Sequence, residues 1–523
     1  MALLVPVLFE PAGVMGWVAP GSTVAAAARE AGILLAAPCG GRAVCGSCGV
    51  RVLAGALDPP DAAELAGLNR APADIRLACR ATVSTPVTVR PIAAVRVDEA
   101  KQPRLLAGVP LAAGVDLGTT SVGVLLVELG TGREMARASV ANEQQAYGAD
   151  VLSRVSAALA GDGAGLQRAA ESSIRNAFES ASVAAGCVLA DVLHVVIGGN
   201  TAMAALLAGV DVEPLSHHPF AAPQPGRELP PERVSQLGLS PTCRVELVPP
   251  LAAFVGGDAL AAALSAGLVE AERPQLLVDF GTNAEVVLAG AGGLVVASTA
   301  AGPAFEGVGG ACGGPAVPGA VESVSVSEGE VVLETVAREP AQWFSGAGLV
   351  SALGALRASG HVLADGSMTG QGPLAARFSH DEAGVLGVDL GAGEIGDEAC
   401  LRVSQLDVRA VQLAKAAIRV AVEDVLARAG VAAGDLESVA VAGSFGGALD
   451  VGDLVTLGIL PATIADRARS VGNAALEGAA AMALDPSLFV LAEELCDAVV
   501  HVDLAAEAGF GEAFITATAF EQY

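Results

Sequence analysis

Positive charge is scarce in this chain of 523 residues: 29 Lys and Arg face 57 Asp and Glu, a formal net charge of −28. So acidic a surface repels phosphate backbones and anionic headgroups, which excludes nucleic acid and membrane surfaces as partners and favours a small molecule or a protein. Long hydrophobic runs are missing too. Mean hydropathy is +0.56, but Ala and Gly inflate it, and apolar stretches such as LAAFVGGDALAAALSAGLV (251–269) are broken by Gly and Asp, so none reads as a membrane span. The opening MALLVPVLFE has no basic leader or small-residue cleavage site and suits a strand, so the expected location is cytoplasmic. The nine cysteines are an odd number, four of them within 41 residues, unlike a secreted disulfide framework. Neither G-x4-G-K-[ST] nor a G-x-G-x-x-G opening a helix after a strand is present, which removes the P-loop and dinucleotide-fold readings.

The length supports two to four domains with several cores. Charge divides unevenly: residues 1–92 carry seven Arg and six acids, close to neutral, and the rest of the chain holds the negative charge. Residues 3–9 and 14–18 read as strands around a turn, STVAAAAREAGI (22–33) as a helix with Ser22 as N-cap, and VRVLAG (50–55) as a strand. A strand pair around LACRATV and PVTVRPI closes a small β-rich domain near residue 92. Residues 93–112 have mixed charge, two Pro and no sustained period, and read as a linker; fully extended it would span roughly 65 Å.

Cys39, Cys45 and Cys48 stand as C-x5-C-x2-C in PCGGRAVCGSCG, and Cys79 follows in RLACRA. Four thiolates suit one zinc or the iron pair of a [2Fe-2S] cluster. The small residues Gly40, Gly41, Gly46, Ser47 and Gly49 let the loop wrap closely and aim N–H groups at bridging sulfides, and only one C-x2-C knuckle exists, which favours the cluster. The other cysteines, Cys187, Cys243, Cys312, Cys400 and Cys496, have no ligand spacing and read as buried small hydrophobes. His217 and His218 read as part of an ordinary proline-rich loop.

From residue 113 the chain repeats itself. GVDLGTTSVGVLLVELGTG (114–132) and LVDFGTNAEVVLAGAGG (277–293) share V-D-[LF]-G-T-[TN], with Asp116 and Asp279 separated by 163 positions. That spacing exceeds solenoid periods and indicates two duplicated lobes. Each motif joins two strand-like runs, so each is expected to be a tight hairpin. Gly118 and Gly281 would permit the turn, and Thr119, Thr120, Thr282 and Asn283 would offer donors to an anion. Asp116 and Asp279 would hold Mg²⁺ directly or through water and orient an attacking water. Two such hairpins across a cleft would clamp a polyphosphate. A glycine turn, AGSFGG (442–447), with Gly443, Gly446 and Gly447, would receive an adenosine. Strand, glycine turn and helix also alternate at 193–209 and 438–450, which argues α/β architecture with covered sheets.

Two resemblances follow from these motifs. The first domain resembles a [2Fe-2S] ferredoxin; its x5 gap departs from the plant-type x4 and is closer to the adrenodoxin-like branch. Residues 113 to about 484 resemble the superfamily of actin, sugar kinases and heat-shock chaperone ATPases, with DLGTT (116–120) as phosphate 1, DFGTNAE (279–285) as phosphate 2 and VAGSFGG (441–447) as the adenosine turn. By that resemblance 254–268 and 471–484 are helices crossing between lobes, and Lys415, in QLAKAAIRVAVEDVLARAG (412–430), is a ribose or phosphate ligand or else part of a solvated helix face.

The fusion of the two parts resembles the reductive activators of corrinoid proteins, as do NEQQAYGADVLSR (142–154), GGNTAMAALLAG (198–209), STAAGPAFEGVGG (298–310) and SQLDVRAVQLAKAAI (404–418). That resemblance implies an α/β multidomain chain: a β-grasp [2Fe-2S] ferredoxin-like domain (1–92), a linker (93–112), ATPase lobe I (113–270), lobe II with the adenosine motif (271–484) and a tail (485–523) packed on the ATPase. The two lobes would be duplicated ribonuclease H-like units of an actin-like ATPase. It implies ATP with Mg²⁺ as cofactor beside the cluster, and one-electron reduction of inactive Co(II) corrinoid to Co(I) for a methyltransferase system. The partners would be a corrinoid protein and an electron-donating reductant, with a homodimer left open. Three other readings stand beside it. They are an activator of the 2-hydroxyacyl-CoA dehydratase type, a small-molecule kinase, and a redox-sensing or electron-carrier protein without ATP-driven chemistry.

Overall fold

The computed structural model describes residues 5–9, 14–30, 33–35, 48–68, 75–91, 94–96, 108–290, 292–302, 312–314, 316–393, 395–396, 399–443, 449–507 and 509–523. In the first domain the strand Val5–Phe9 alternates, sending Val5, Val7 and Phe9 inward. It pairs antiparallel with Val14–Val18 and parallel with Val87–Pro91, and Gly49–Gly55 and Ile75–Leu77 complete a five-stranded sheet. The helix Val24–Glu30 covers it, burying Val24, Ala27 and Ala28. Ser22 is not its cap: Ser22 lies in a strand pair with Val83, and the Thr23 hydroxyl accepts from the Ala26 N–H at 3.2 Å instead. Residues 93–112 are not connector throughout, since Ala94–Arg96 pairs with Ile33–Leu35 and the next strand begins at Leu111.

The two ATPase-like lobes are copies of one topology. In the first, the sheet runs Glu134–Ala141, Ser121–Glu128, Leu111–Leu117, Val192–Gly199, Arg244–Leu247. In the second it runs Gly293–Ala300, Asn283–Gly290, Gln275–Asp279, Ser438–Ala442, Ala468–Gly472, with Val499–His501 added beside Gly293–Ala300. In both, three antiparallel strands lead and two parallel strands follow. Nearly every residue of the central strand Leu111–Leu117 is buried, as expected of a strand covered on both faces.

Two helices, Gly257–Ser265 and Ala474–Leu484, lie against each other in a core that also takes in strand residues of both sheets, among them Ala112, Val196, Leu277 and Ala440. They approach closely because their faces are Ala and Gly: a side-chain carbon at Gly478 would collide with the Ala261 carbonyl. Although Ala474–Leu484 follows a strand of lobe II, it seats on lobe I, where a side-chain carbon at Gly114 would strike its Leu476 and Ala480 backbone.

Lobe II also carries two small three-stranded sheets between Ala300 and the long helix Gln405–Ala429. There Cys312 and Cys400 form a disulfide, Cα to Cα 5.0 Å, which corrects the reading of both as unpaired core residues. Both flank one segment: Phe344 N–H donates to the Cys312 carbonyl at 2.9 Å and Cys400 N–H to the Gln342 carbonyl at 2.8 Å. Across a sequence separation of 88 no spacing signal could show that. Cys187 and Cys243 are buried as expected. The last residues close on lobe II, Phe510–Ala517 packing against Gln405–Ala429 around Ala416, Val420 and Ala517. Among the described residues, no helix is long and apolar enough to cross a membrane.

Candidate functional site

Asp116 is the penultimate residue of the strand Leu111–Leu117, and the Gly118 N–H closes the turn on the Ser121 carbonyl at 3.0 Å. The segment from residue 142 braces this turn from outside. Asn142 donates from Nδ2 to the Gly118 carbonyl (2.8 Å), and from its backbone N–H to the Thr120 carbonyl (2.9 Å), which also accepts from Gln145 Nε2 (2.7 Å). The second hairpin is built alike: Asp279 pairs across it with Glu285, Phe280 N–H donates to the Ala442 carbonyl at 3.0 Å, and Gly302 N–H to the Thr282 carbonyl at 2.8 Å. The two tips meet, Thr120 Oγ1 and Thr282 Oγ1 lying 2.8 Å apart.

Between them is one cleft. It is lined by Asp116, Asp258, Asp279 and Glu285, by hairpin residues including Thr119 and Asn283, and by Gly443 and Asn473, and no Lys or Arg lines it among the described residues. Desolvation and mutual repulsion act on the four carboxyls together. Burial pushes Asp116 up to about 6, partly offset by the Asn473 amide donating to it at 2.8 Å. Burial, and then the Asp116 charge, push Asp258 up to about 7. Asp279 and Glu285 stand well above the usual carboxylate range, first from burial and then from the other acids. These groups fit a divalent cation, whose charge would relieve that repulsion. Among the described residues no three His, Cys, Asp or Glu converge closely enough to chelate a metal by themselves.

The structure therefore brings together Asp116, Gly118, Thr119, Thr120, Asp279, Gly281, Thr282, Asn283 and Gly443. Gly443 has φ 128°, and a side-chain carbon there would collide with the Phe280 carbonyl; Gly446 and Gly447 lie outside the described residues. Lys415 is not at this site, which corrects its reading as a nucleotide ligand. It is fully buried, its Nζ donates to the Ala519 carbonyl, and burial brings it down to about 7. The helix face that carries it is covered by the chain's last residues, with Gln412 Nε2 on the Thr518 carbonyl (2.8 Å) and Arg419 on the Glu521 carbonyl (3.3 Å). Asp258, Glu285 and Asn473 were missed. Glu285 stood inside DFGTNAE, at the position facing Asp279 in a hairpin register, whereas Asp258 and Asn473 head helices read only as crossings.

In the first domain, Cys39 and Cys45 lie outside the described residues. Cys48 is buried and Cys79 half-buried, and the pairing of Gly49–Gly55 with Ile75–Leu77 sets them side by side, Ala78 N–H donating to the Cys48 carbonyl at 2.9 Å. Two cysteines carried on adjoining backbone segments fit the chemistry of a cluster site.

Three family models match the chain: "2Fe-2S iron-sulfur cluster binding domain" over residues 15–84, "RACo middle region" over 111–271, and "C-terminal domain of RACo the ASKHA domain" over 273–523. The chain is 31% identical over 428 residues to the corrinoid activation enzyme RamQ of Eubacterium limosum, covering 77% of this chain and 69% of that one. It is 29% identical over 251 residues to the [Co(II) methylated amine-specific corrinoid protein] reductase of Methanosarcina barkeri, covering 47% of this chain and 45% of that one. Among solved structures it is similar to a reductive activator for corrinoid, iron-sulfur protein, with TM-score 0.73, 24% identity and 98% of each chain covered.

Proposed function

The chain belongs to the RACo family of corrinoid activators, and from that premise we propose that it uses ATP to reduce the Co(II) of a corrinoid protein to Co(I). One electron enters cobalt per event, and ATP and water become ADP and phosphate. A bound [2Fe-2S] cluster on Cys39, Cys45, Cys48 and Cys79 would supply the one-electron relay, refilled by an external reductant. The observation that carries the ATP half is the cleft of four carboxylates between duplicated hairpins. Without a basic side chain in its described wall, a polyphosphate must arrive with its own cation, so Mg-ATP suits the cleft better than free ATP.

Within the cleft, the Gly118 and Gly281 turns would admit the phosphates, and the hydroxyls of Thr119, Thr120 and Thr282 would donate to their oxygens. Asp116 and Asp279 would orient the cation's water shell and the attacking water, with Asp258 and Glu285 completing the negative wall. Re-reduction of cobalt is uphill from ferredoxin-type donors, whose plant-type clusters sit near −400 mV. Lobe movement on nucleotide binding therefore has to change the grip on the corrinoid partner.

The decisive experiment is anaerobic. Purified protein, a Co(II) corrinoid protein, a reductant and Mg-ATP are mixed, and the visible spectrum is followed for Co(I). Co(I) forming equally fast without ATP, or with Cys45→Ser, would overturn the reading. Asp279→Ala should keep the cluster spectrum and abolish ATP-dependent reduction.

A further inference from the structure

Asn473 stands where the chain leaves the lobe II sheet and enters the helix that seats on lobe I. The strand Ala468–Gly472 ends in Gly472, whose φ of 67° turns the chain, and Ala474–Leu484 begins two residues later. The Asn473 side chain is divided between two tasks. Its Oδ1 accepts from the Leu476 N–H at 2.9 Å and so caps the helix, while its Nδ2 donates to Asp116 Oδ2 at 2.8 Å. The preceding carbonyl, of Gly472, accepts from the Gly443 N–H at 3.0 Å. Two adjacent residues at the crossing thus touch two residues that line the nucleotide cleft, Gly443 and Asp116. The helix they start cannot shift independently of lobe I, because Gly114 fits under its Leu476 and Ala480 backbone and Gly478 lies against the Ala261 carbonyl of the second crossing helix.

We propose that Asn473 is a positioning residue that couples occupation of the cleft to rotation of the lobes. When Asp116 turns its oxygens to an incoming cation and phosphate, the amide bond to Asn473 changes, and the Gly472–Asn473 junction that joins the lobe II sheet to this helix moves with it. Capping alone would need only the Oδ1 acceptor. The donor aimed at Asp116 is the part with no structural duty in the helix, and it makes the coupling separable from stability. The inference rests on the ATPase reading of the cleft and adds the element through which that cleft acts.

The test uses the full chain with four proteins: parent, Asn473→Ser, Asn473→Asp and Asn473→Ala. Ser and Asp keep a capping oxygen and lose the amide donor, whereas Ala loses both. The first readout needs no corrinoid: the change in small-angle scattering radius when a nonhydrolysable ATP analogue binds with Mg²⁺. The parent should contract. Asn473→Ser should melt within about 2 °C of the parent, bind the analogue within about threefold, and fail to contract. In the second readout, ATP-driven Co(I) formation, Asn473→Ser should fall about tenfold in kcat with KM for ATP near the parent's, the loss expected for one hydrogen bond to a charged group. Asn473→Asp, which sets a further carboxylate beside Asp116, should lose at least as much. Contraction of Asn473→Ser like the parent, or losses that simply track a lowered melting temperature shared with Asn473→Ala, would overturn the proposal, as would a parent that binds the analogue without contracting. A parent that contracts but forms no Co(I) would sink the corrinoid reading instead, and the contraction of the variants would still decide the coupling.

Discussion

The hydroxyls of Thr120 and Thr282 lie 2.8 Å apart, joining two hairpin tips separated by 162 positions in sequence. Each tip is the end of a strand pair at the centre of its own sheet, so the bond ties lobe to lobe at the mouth of the cleft. A neutral pair of this kind contributes about 0.5–1.5 kcal/mol. Thr120→Val and Thr282→Val should therefore each destabilise the chain to urea, and the double variant should lose about 1 kcal/mol less than their sum. Full additivity in that cycle would show that the hydroxyls do not meet in solution.

Asp258 leads to a pH prediction. Its carboxyl is raised from 3.8 to about 7 by burial and by Asp116, so between those values the folded chain holds a proton that the unfolded chain has released. Stability contributed by this group is then present at low pH and lost as pH rises through about 7. Without nucleotide, the melting temperature should fall between pH 5.5 and pH 8, and Asp258→Asn should raise it at pH 8 and flatten the slope. Addition of Mg²⁺ with an ATP analogue should flatten it too, because the cation takes over the proton's neutralising role. A parent melting profile indifferent to pH and to Mg²⁺ over this range would contradict the repulsion described in the cleft.

The duplicated hairpins were legible because they rest on local rules: a strand, a glycine turn and a second strand, repeated with the same flanks. The two crossing helices were legible only through family resemblance, since an Ala- and Gly-rich helix buried on all sides has no amphipathic period to read. Asp258 and Asn473 stayed hidden for that reason, each being a polar residue at the head of such a helix. Lys415 misled because a charged residue in a helical pattern suggests solvent or ligand, whereas its partner is a backbone carbonyl 104 positions away. The Cys312–Cys400 pair likewise depends on two loops meeting beside one segment, which no local pattern records.

Lys415 tests that correction directly. Its ammonium is lowered from 10.5 to about 7, burial first and Arg419 next, so below about pH 7 the fold carries a buried charge and stability is regained as pH rises toward 10.5. Lys415→Met removes that charge and the bond to the Ala519 carbonyl together. The variant should gain in melting temperature relative to the parent at pH 6.5, and the gain should shrink or reverse by pH 9. Its KM for ATP should stay within about twofold of the parent's, the scatter of a residue outside the site. A tenfold rise in KM would restore Lys415 as a nucleotide ligand.

Gly443 is the described glycine of the turn proposed to receive adenosine, and two constraints act on it at once. Its φ of 128° is costly for any residue with a side chain, and the space where that side chain would go is filled by the Phe280 carbonyl of the second hairpin. Gly443→Ala must therefore push the turn away from Phe280, and with it the N–H that reaches the Gly472 carbonyl at 3.0 Å. Affinity for an ATP analogue, measured by titration calorimetry, should fall at least about tenfold, the effect of misplacing one wall of a preformed site. The cluster's visible absorbance should not change, because the four candidate ligands lie in the first domain. Loss of both signals would mean a general folding defect, and unchanged affinity would mean that the nucleotide does not depend on this turn.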